Sequence, residues 1–188
     1  YKIKPIYASF SRAYLLLEAK KIDGVINANE TVASLGYLSD PVVTFHNTAI
    51  SLRKKNHPIN FDISYLSDKT IIAFQKAKKF LGPKFQSAVN ENKHYYEVPL
   101  QSQQISMLFS REIDFIVMDK SIFGYYWNEA KGSKNSAELD LHNPIRFHPI
   151  FKPTPYRFIF KDEKIRDQFN KGLAEIRESG AYDAILHK

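Results

Sequence analysis

Residues 111–119 read Arg-Glu-Ile-Asp-Phe-Ile-Val-Met-Asp, and this stretch decides the fold that we predict. Its short apolar run is bounded by polar residues and is too short for a helix, so it predicts a buried parallel strand. Asp119 stands where the run stops. Because open α/β sheets bind ligands at the carboxyl ends of their strands, Asp119 is a candidate binding residue.

A similar stretch occurs near the start of the chain, where residues 21–27 read Lys-Ile-Asp-Gly-Val-Ile-Asn. Here too, a helix with basic residues is predicted to end at Ile-Asp, before a short apolar run and a polar residue. The pattern again predicts a buried parallel strand. Two such copies indicate two similar lobes, and the first hypothesis is a binding cleft between them.

The composition is that of an ordinary globular protein of one large domain or two small lobes, with 188 residues, 44% hydrophobic and 25% charged. No apolar run approaches the roughly 20 residues that span a bilayer. The net charge of +7 is dispersed among acidic residues, so we expect no nucleic-acid binding. Cys is absent and no His pair has metal-ligand spacing, so we expect neither a metal nor a cofactor. No hydrolase, P-loop or dinucleotide motif occurs.

Strand and helix patterns alternate along the chain, which predicts an α/β architecture. The predicted strands are 2–8, 24–26, 42–52 (as one or two strands), 70–74, 95–98, 113–118, 144–151 and 157–160. The predicted helices are 12–21, 75–81, 85–92, 99–110, 122–130 and 163–179.

The order of these elements resembles the type II periplasmic solute-binding proteins, the extracellular solute-binding family 3 that serves polar amino-acid uptake. The resemblance is carried by residues 21–26, by Leu-Ser-Asp-Pro at 38–41, by residues 110–119 and by the ending at 169–186. It implies a two-lobed α/β fold with mixed, mainly parallel sheets flanked by helices.

The resemblance also implies how the chain is divided. Lobe 1 would hold residues 1–52 and 153–188, lobe 2 would hold residues 57–148, and the hinge strands would lie near 49–54 and 148–155. The family normally opens with a central strand and helix before the strand expected at 2–8. We therefore expect lobe 1 to lack that opening.

Two departures from the family bear on the ligand. The family's loop after the first strand normally carries an Arg that clamps the ligand α-carboxylate with two parallel hydrogen bonds. This chain reads Glu-Thr-Val-Ala-Ser-Leu-Gly at 30–36, without an Arg. Phe74-Gln75 stands where the family has Gly-Ser or Gly-Thr at a helix N-terminus that receives an anion. Both departures argue against a plain α-amino acid.

The resemblance assigns candidate ligand-binding residues, each of which also has a structural interpretation. Asp119 would accept hydrogen bonds from a ligand ammonium, or it caps the helix that follows. Phe74 and Gln75 would contact ligand, or Phe74 belongs to the core. Ser102 would contact ligand or cap its own helix.

In lobe 1, Arg12 would replace the missing carboxylate clamp, or it is a solvated helix residue. The loop residues Asn27, Asn29 and Glu30 would line the cleft, or they stand there because Asn and acidic residues favour loops.

The function implied is a periplasmic protein that captures a small polar or amino-acid-like ligand between its lobes for an ABC-type transporter, closing by hinge rotation. The alternative is the extracytoplasmic sensing domain of a signalling receptor. An enzyme on the same fold would need a buried acid, for which Glu30 is the only candidate, so we expect no catalytic role. The expected partner is a membrane permease or a signalling module, and the chain is expected to be a monomer.

Overall fold

The computed structural model describes residues 1–110, 113–133 and 139–186. Arg111 and Glu112, which open the stretch quoted above, and much of the polar loop predicted at 131–140 lie outside the described residues.

Nine strands and seven α-helices form within the described ranges. The strands are β1 (Gly24–Ala28), β2 (Tyr37–Leu38), β3 (Val43–Phe45), β4 (Asn47–Leu52), β5 (Ile71–Phe74), β6 (Tyr95–Val98), β7 (Phe115–Asp119), β8 (Ile145–His148) and β9 (Thr154–Phe160). The helices are α1 (Phe10–Glu18), α2 (Ala77–Phe80), α3 (Pro83–Val89), α4 (Ser102–Ser110), α5 (Lys120–Gly132), α6 (Glu163–Glu178) and α7 (Ala181–Leu186). Short 3₁₀ helices span Glu30–Leu35, Arg53–Lys55 and Ile63–Asp68.

The chain divides into two compact units. The first holds Tyr1–Thr44 and Pro155–Lys188, and the second holds Phe45–Thr154. The strand β4, which we placed at the end of lobe 1 from the sequence, is therefore part of the second unit. It pairs there with both of its neighbours, β7 and β8.

The second unit is built on a five-stranded mixed sheet of order β6-β5-β7-β4-β8. The strand β5 runs parallel to β6 and β7, while β4 runs antiparallel to β7 and β8. All five residues of β7 are buried, which confirms the buried parallel strand predicted from the quoted stretch. The helices α4 and α5 contribute Leu108 and Phe123 to the same apolar cluster as Ile50 and Ile116 of the sheet.

The first unit is built around β9, which pairs antiparallel with β1 and β2 and also pairs with β3. Tyr14 and Leu17 of α1 and Leu173 of α6 are buried in this unit. The prediction of a buried parallel strand near 24–26 was wrong. The strand β1 is antiparallel to β9, and Ile26 is 58% exposed. A run of three apolar residues looks the same in a strand buried on one face and in a strand buried on both faces, so the sequence did not distinguish the two cases.

The prediction of a strand at residues 2–8 was also wrong. No strand is formed there, and Ile3, Ile6 and Tyr7 are 84%, 65% and 95% exposed. The composition suits a strand, but a strand also needs a neighbour for its backbone N–H and C=O groups. Within the described residues, no strand pairs with this segment.

The helices largely follow the predicted pattern. Apolar residues at helical spacing place α6 at Glu163–Glu178, close to the predicted 163–179. The helix predicted at 75–81 shortens to α2, because Lys76 adopts a left-handed conformation with φ 65° and holds the N-cap position. No helix in the described part of the chain is long and apolar enough to cross a membrane.

Two histidines are buried in the second unit among aromatic rings. His148 is fully buried; its Nδ1 lies 3.3 Å from the Ile59 carbonyl and its Nε2 lies 3.0 Å from Ser51 Oγ. Because a carbonyl only accepts, Nδ1 carries the proton and Ser51 donates to Nε2. His57 Nε2 lies 3.4 Å from an oxygen of Asp114, and its ring packs 4.3 Å from Phe115. Burial lowers the pKa of both histidines below the ordinary 6.5.

Because of these two buried histidines, we expect the free energy of unfolding to decrease in acid. The unfolded chain takes up protons at both positions as the pH falls through about 6.5, while the folded chain resists them. The free energy of unfolding should therefore be constant above pH 7 and decrease steadily below pH 6.5 in denaturant titrations. His148→Gln should flatten this decrease, whereas His142→Gln, at an exposed position, should leave it unchanged. A pH-independent stability between 5 and 7.5 would contradict the assignment of neutral rings.

The core of the second unit gives a second prediction. Ile50 is fully buried in β4, so Ile50→Ala should lower the free energy of unfolding by about 2–5 kcal/mol, measured by chemical denaturation. The matched control is Ile3→Ala in the exposed N-terminal segment, which should change it by less than about 0.5 kcal/mol. Equal effects of the two substitutions would show that Ile3 is packed.

Candidate functional site

The eight residues predicted to bind ligand divide between the two units. Four lie in the first unit (Arg12, Asn27, Asn29 and Glu30) and four in the second (Phe74, Gln75, Ser102 and Asp119). Three of those in the second unit, Phe74, Gln75 and Asp119, stand at one edge of the sheet, because β5 and β7 are parallel neighbours and end there.

Asp119 is the last residue of β7 and is only 3% exposed. One carboxylate oxygen accepts hydrogen bonds from the backbone N–H groups of Ser121 (2.8 Å) and Ile122 (3.2 Å), which makes Asp119 the N-cap of α5. The other oxygen accepts from the N–H of His46 at 2.6 Å. The structural interpretation of Asp119 as a helix cap is thus confirmed.

These contacts leave Asp119 little capacity for a ligand. A carboxylate offers about four lone-pair positions, and backbone donors already use three of them. The negative charge also lies at the positive N-terminal end of a 13-residue helix, which partly compensates it. Asp119 can therefore offer a ligand donor at most about one further hydrogen bond.

Phe74 ends β5 and is 5% exposed, among the core residues of the second unit. Gln75 follows it and is half-buried. The side-chain Oε1 of Gln75 is buried and has no hydrogen-bond partner within the described ranges.

The N-terminus of α2, which the resemblance implies to be an anion site, is capped by the chain itself. Glu97 in β6 accepts hydrogen bonds from the backbone N–H groups of Lys76 (2.6 Å) and Lys78 (2.9 Å). The same carboxylate accepts from the Tyr95 hydroxyl at 2.7 Å. Burial, followed by this contact, raises the pKa of Tyr95. Two of the N–H groups available at this turn are therefore already paired with an internal carboxylate.

Asn47, the first residue of β4, was missed by the sequence analysis. It is the Cα partner of Asp119 in the β4–β7 ladder, so it lies beside Asp119 at the same edge. Asn47 is 5% exposed, and its Nδ2 has no hydrogen-bond partner among the residues that the structure describes. The signal in the sequence was a polar residue opening a β-branched run, the reverse of the pattern at Asp119.

Ser102 begins α4 and is exposed. The buried polar residue of this helix is Gln104, which is fully buried. With its amide oriented to satisfy its surroundings, Gln104 donates to the carbonyls of Ile72 (3.0 Å) and Val117 (3.1 Å). Gln104 therefore connects α4 to the sheet through hydrogen bonds to β5 and β7.

In the first unit, the loop after β1 is held together by its own polar residues. Asn29 is 5% exposed and caps the 3₁₀ helix Glu30–Leu35, accepting from the N–H (3.0 Å) and hydroxyl (2.6 Å) of Thr31. Glu30 has a 73% exposed side chain and forms an ion pair with Arg157 at 3.1 Å. Glu30 is therefore not the buried acid that an enzymatic role would need.

Asn27 has a positive φ of 59° at a β-bulge between Val25 and Ala28. Its carbonyl accepts a hydrogen bond from the buried Tyr14 hydroxyl at 3.3 Å, and burial raises the pKa of Tyr14 to about 12. Arg12 is exposed on the first turn of α1.

Comparison with known proteins identifies the fold. No protein-family model matches the sequence, and no curated protein matches it. Solved structures do match over nearly the whole chain. A histidine kinase sensor domain with similarity to periplasmic binding proteins has a TM-score of 0.76 at 16% identity, covering 95% of this chain and 74% of that one.

An ancestral arginine-binding protein bound to arginine matches with a TM-score of 0.73 at 18% identity, covering 99% of this chain and 78% of that one. The arginine-, lysine-, histidine-binding protein ArtJ of the thermophilic bacterium Geobacillus stearothermophilus has a TM-score of 0.70 at 16% identity, covering 95% and 74%. At these identities the similarity establishes the fold. The chain has the α/β fold of the two-lobed periplasmic binding proteins, with mixed sheets flanked by helices, as predicted. The expectation that these sheets are mainly parallel was wrong, because four of the six strand pairs with a described register are antiparallel.

The geometry of Asp119 gives a prediction about stability. Asp119→Asn keeps the shape but turns one acceptor oxygen into an N–H donor, which would then face a backbone N–H. The substitution should lower the free energy of unfolding by about 1–3 kcal/mol, measured by denaturant titration. The control is Asp162→Asn, at the exposed N-cap of α6, where Asn caps as well as Asp and the cost should be a few tenths of a kcal/mol. Similar costs at both positions would contradict a special role for the second oxygen of Asp119.

Proposed function

We propose that this protein binds a small polar or amino-acid-like ligand outside the cytoplasm and delivers it to an ABC-type transporter. The observation that carries the proposal is the fold. The structures that match at least 95% of this chain include proteins described as binding arginine or as binding arginine, lysine and histidine. In this reading the periplasm is the compartment, the permease is the macromolecular partner, and the protein acts as a monomer.

The second unit supports a binding role at the carboxyl ends of β5 and β7. Open α/β sheets place ligands at that edge. Polar residues stand at this edge, with Asp119 at the end of β7, Gln75 directly after β5, and Asn47 paired with Asp119 in β4. The proposed ligand contacts in this unit are therefore Gln75 and Asp119, together with Asn47.

The charges at this edge bear on the kind of ligand. The carboxylates of Asp119 and Glu97 are each paired with backbone N–H groups of their own unit. A ligand that relies on its α-carboxylate would meet both negative charges and would find two N–H groups of the α2 turn already used. This arrangement favours a neutral or cationic polar ligand over an acidic one.

Sensing is the second candidate function, because a histidine kinase sensor domain matches with a TM-score of 0.76. In that case the partner is a signalling module in place of a permease. The two functions can be distinguished by measuring ligand uptake and the signalling response in cells that lack the protein. Loss of ligand uptake indicates transport, whereas loss of a signalling response with intact uptake indicates sensing.

We propose binding without catalysis. Among the matching structures is an ancestral amino-acid-binding protein described as a precursor of cyclohexadienyl dehydratase, so the fold itself is compatible with enzymatic descendants. The acid that the sequence offered for such chemistry, Glu30, is exposed and paired with Arg157. This argues against that version of an enzyme.

Ligand binding is tested by a thermal-shift screen of the purified protein against amino acids, amines, organic acids and short peptides, followed by calorimetric titration of any hit. A ligand at 100 times its Kd should stabilise the folded state by about 2.7 kcal/mol. Asp119→Ala should abolish the shift in a sample that is still folded by circular dichroism, and Asp162→Ala in the first unit should not. A well-folded protein that binds nothing in the panel would overturn the proposed function.

A further inference from the structure

The first unit contains a groove of about 540 Å³ that is lined by α6, α7, β3 and β9. This volume is in the range of small-molecule sites, which is roughly 300–1,000 Å³. The lining is almost entirely apolar and includes Val43, Phe158, Phe169, Ile176 and Ile185. The groove belongs to the first unit, so it is separate from the sheet edge of the second unit that we proposed as a ligand site.

The polar side chains of the lining, Gln168 and Tyr182, are already hydrogen-bonded. The Tyr182 hydroxyl donates to the Val42 carbonyl, and Gln168 Oε1 accepts from the Tyr1 hydroxyl. An occupant of the groove therefore finds few polar partners inside it. The part of the occupant that lies in the groove must be apolar, because a polar group there would lose its hydrogen bonds to water.

Gly172 lines the groove from the interior of the 16-residue helix α6. A Cβ added at this position would meet no described atom within 4 Å, so the space beside it is open. Apart from Pro, Gly is the least favourable residue in the interior of a helix. The chain thus has a weak helix former at a position where any other side chain would fill part of the groove.

Three aliphatic side chains of the groove remain in contact with water. Ile176, Ile185 and Leu186 are 39%, 65% and 53% exposed. Covering them is favourable, because apolar surface is then removed from water. A specific protein interface buries about 800 Å² on each partner. Three partly exposed aliphatic side chains offer much less area, which favours a small molecule as the occupant over another protein.

A positive charge stands beside Tyr182 at one side of the groove. The Arg177 guanidinium lies 4.9 Å from the centre of the Tyr182 ring and donates a hydrogen bond to the Pro41 carbonyl. Among the described residues, no carboxylate forms an ion pair with Arg177. A guanidinium has five N–H donors and binds carboxylates well. Charge complementarity therefore favours an occupant with an anionic group at this side.

We propose that the groove binds a free fatty acid of medium chain length. The acyl chain lies in the groove against Phe169 and Gly172, and the carboxylate faces Arg177. An unbranched chain needs no polar partners along its length, and its single carboxylate pairs with the guanidinium that lacks an acidic partner. This ligand differs from the one proposed for the second unit, so the inference goes beyond the proposed function and does not depend on it.

The test is a calorimetric titration of the full chain with decanoate, below the concentration at which decanoate forms micelles. The wild type should bind one decanoate with saturation. Decyltrimethylammonium, a cation with a chain of the same length, should bind at least tenfold more weakly. Added salt should weaken the binding of decanoate, because it screens the attraction between the carboxylate and Arg177.

The role of the groove is tested by filling it. Gly172→Leu should weaken decanoate binding at least tenfold, while the melting temperature stays the same or rises, because Leu is the better helix former. The matched control is Gly124→Leu in α5 of the second unit, where an added Cβ also meets nothing described within 4 Å, and it should bind as the wild type does. Ile185→Gln, at an exposed position, should weaken binding as well and covers the case in which Gly172→Leu does not fold.

The role of Arg177 is tested separately from that of the groove. Arg177→Gln should weaken decanoate binding at least fivefold and remove the preference for decanoate over decyltrimethylammonium. Arg177→Lys keeps the positive charge and should retain the preference. Equal loss of the preference in both variants would contradict the assignment of the carboxylate to this charge.

Three results would overturn the inference. The first is a wild type that binds no decanoate with saturation, and the second is a Gly172→Leu variant that binds decanoate as tightly as the wild type. The third is a wild-type dimer that Gly172→Leu dissociates in analytical ultracentrifugation, without decanoate binding, because a second copy then covers the groove. An amino acid or amine that binds the wild type and Gly172→Leu equally supports the proposed function, whichever result decanoate gives.

Discussion

The carboxylate of Asp119 holds the second unit together at the edge where its strands end. It joins β7 to α5 through the N–H groups of Ser121 and Ile122, and it joins β7 to the corner before β4 through the N–H of His46. One side chain thus satisfies three backbone donors. The positions of Asn47 and of the start of α5 both follow from this junction, so the geometry of the proposed site depends on it.

Around that junction, the chain uses its own charges to satisfy its own backbone. Glu97 does for the turn before α2 what Asp119 does for α5. Neutral amides behave differently: Gln104 donates to two strand carbonyls, whereas Asn47 and Gln75 each have one buried atom without a hydrogen-bond partner among the described residues. At this edge, the carboxylates are paired with backbone N–H groups and so have a structural role. The amides with an unpaired buried atom are the better candidates for contact with a ligand.

Sequence patterns predicted most element types and the fold, because apolar periodicity reports which residues a strand or helix buries. They were wrong at residues 2–8 and about the pairing of β1, because a strand is defined by a partner that local sequence does not contain. The site was predictable only in part. Asp119 was found because it ends an apolar run, but its contact with His46, 73 residues away in the chain, left no local trace. The lack of a hydrogen-bond partner for Asn47 Nδ2 among the described residues could not be predicted from the sequence either, because it depends on which polar groups the neighbouring elements place around that atom.

The first unit has a feature with a practical consequence for handling the protein. The strand β1 pairs with β9 on one side, and within the described residues no strand pairs with its other side. Ile26 on this strand is exposed, and so are Ile3 and Tyr7 in the N-terminal segment. An open strand edge next to apolar side chains can add strands from other molecules. The protein should therefore self-associate more readily as its concentration rises, and dilute preparations suit it best.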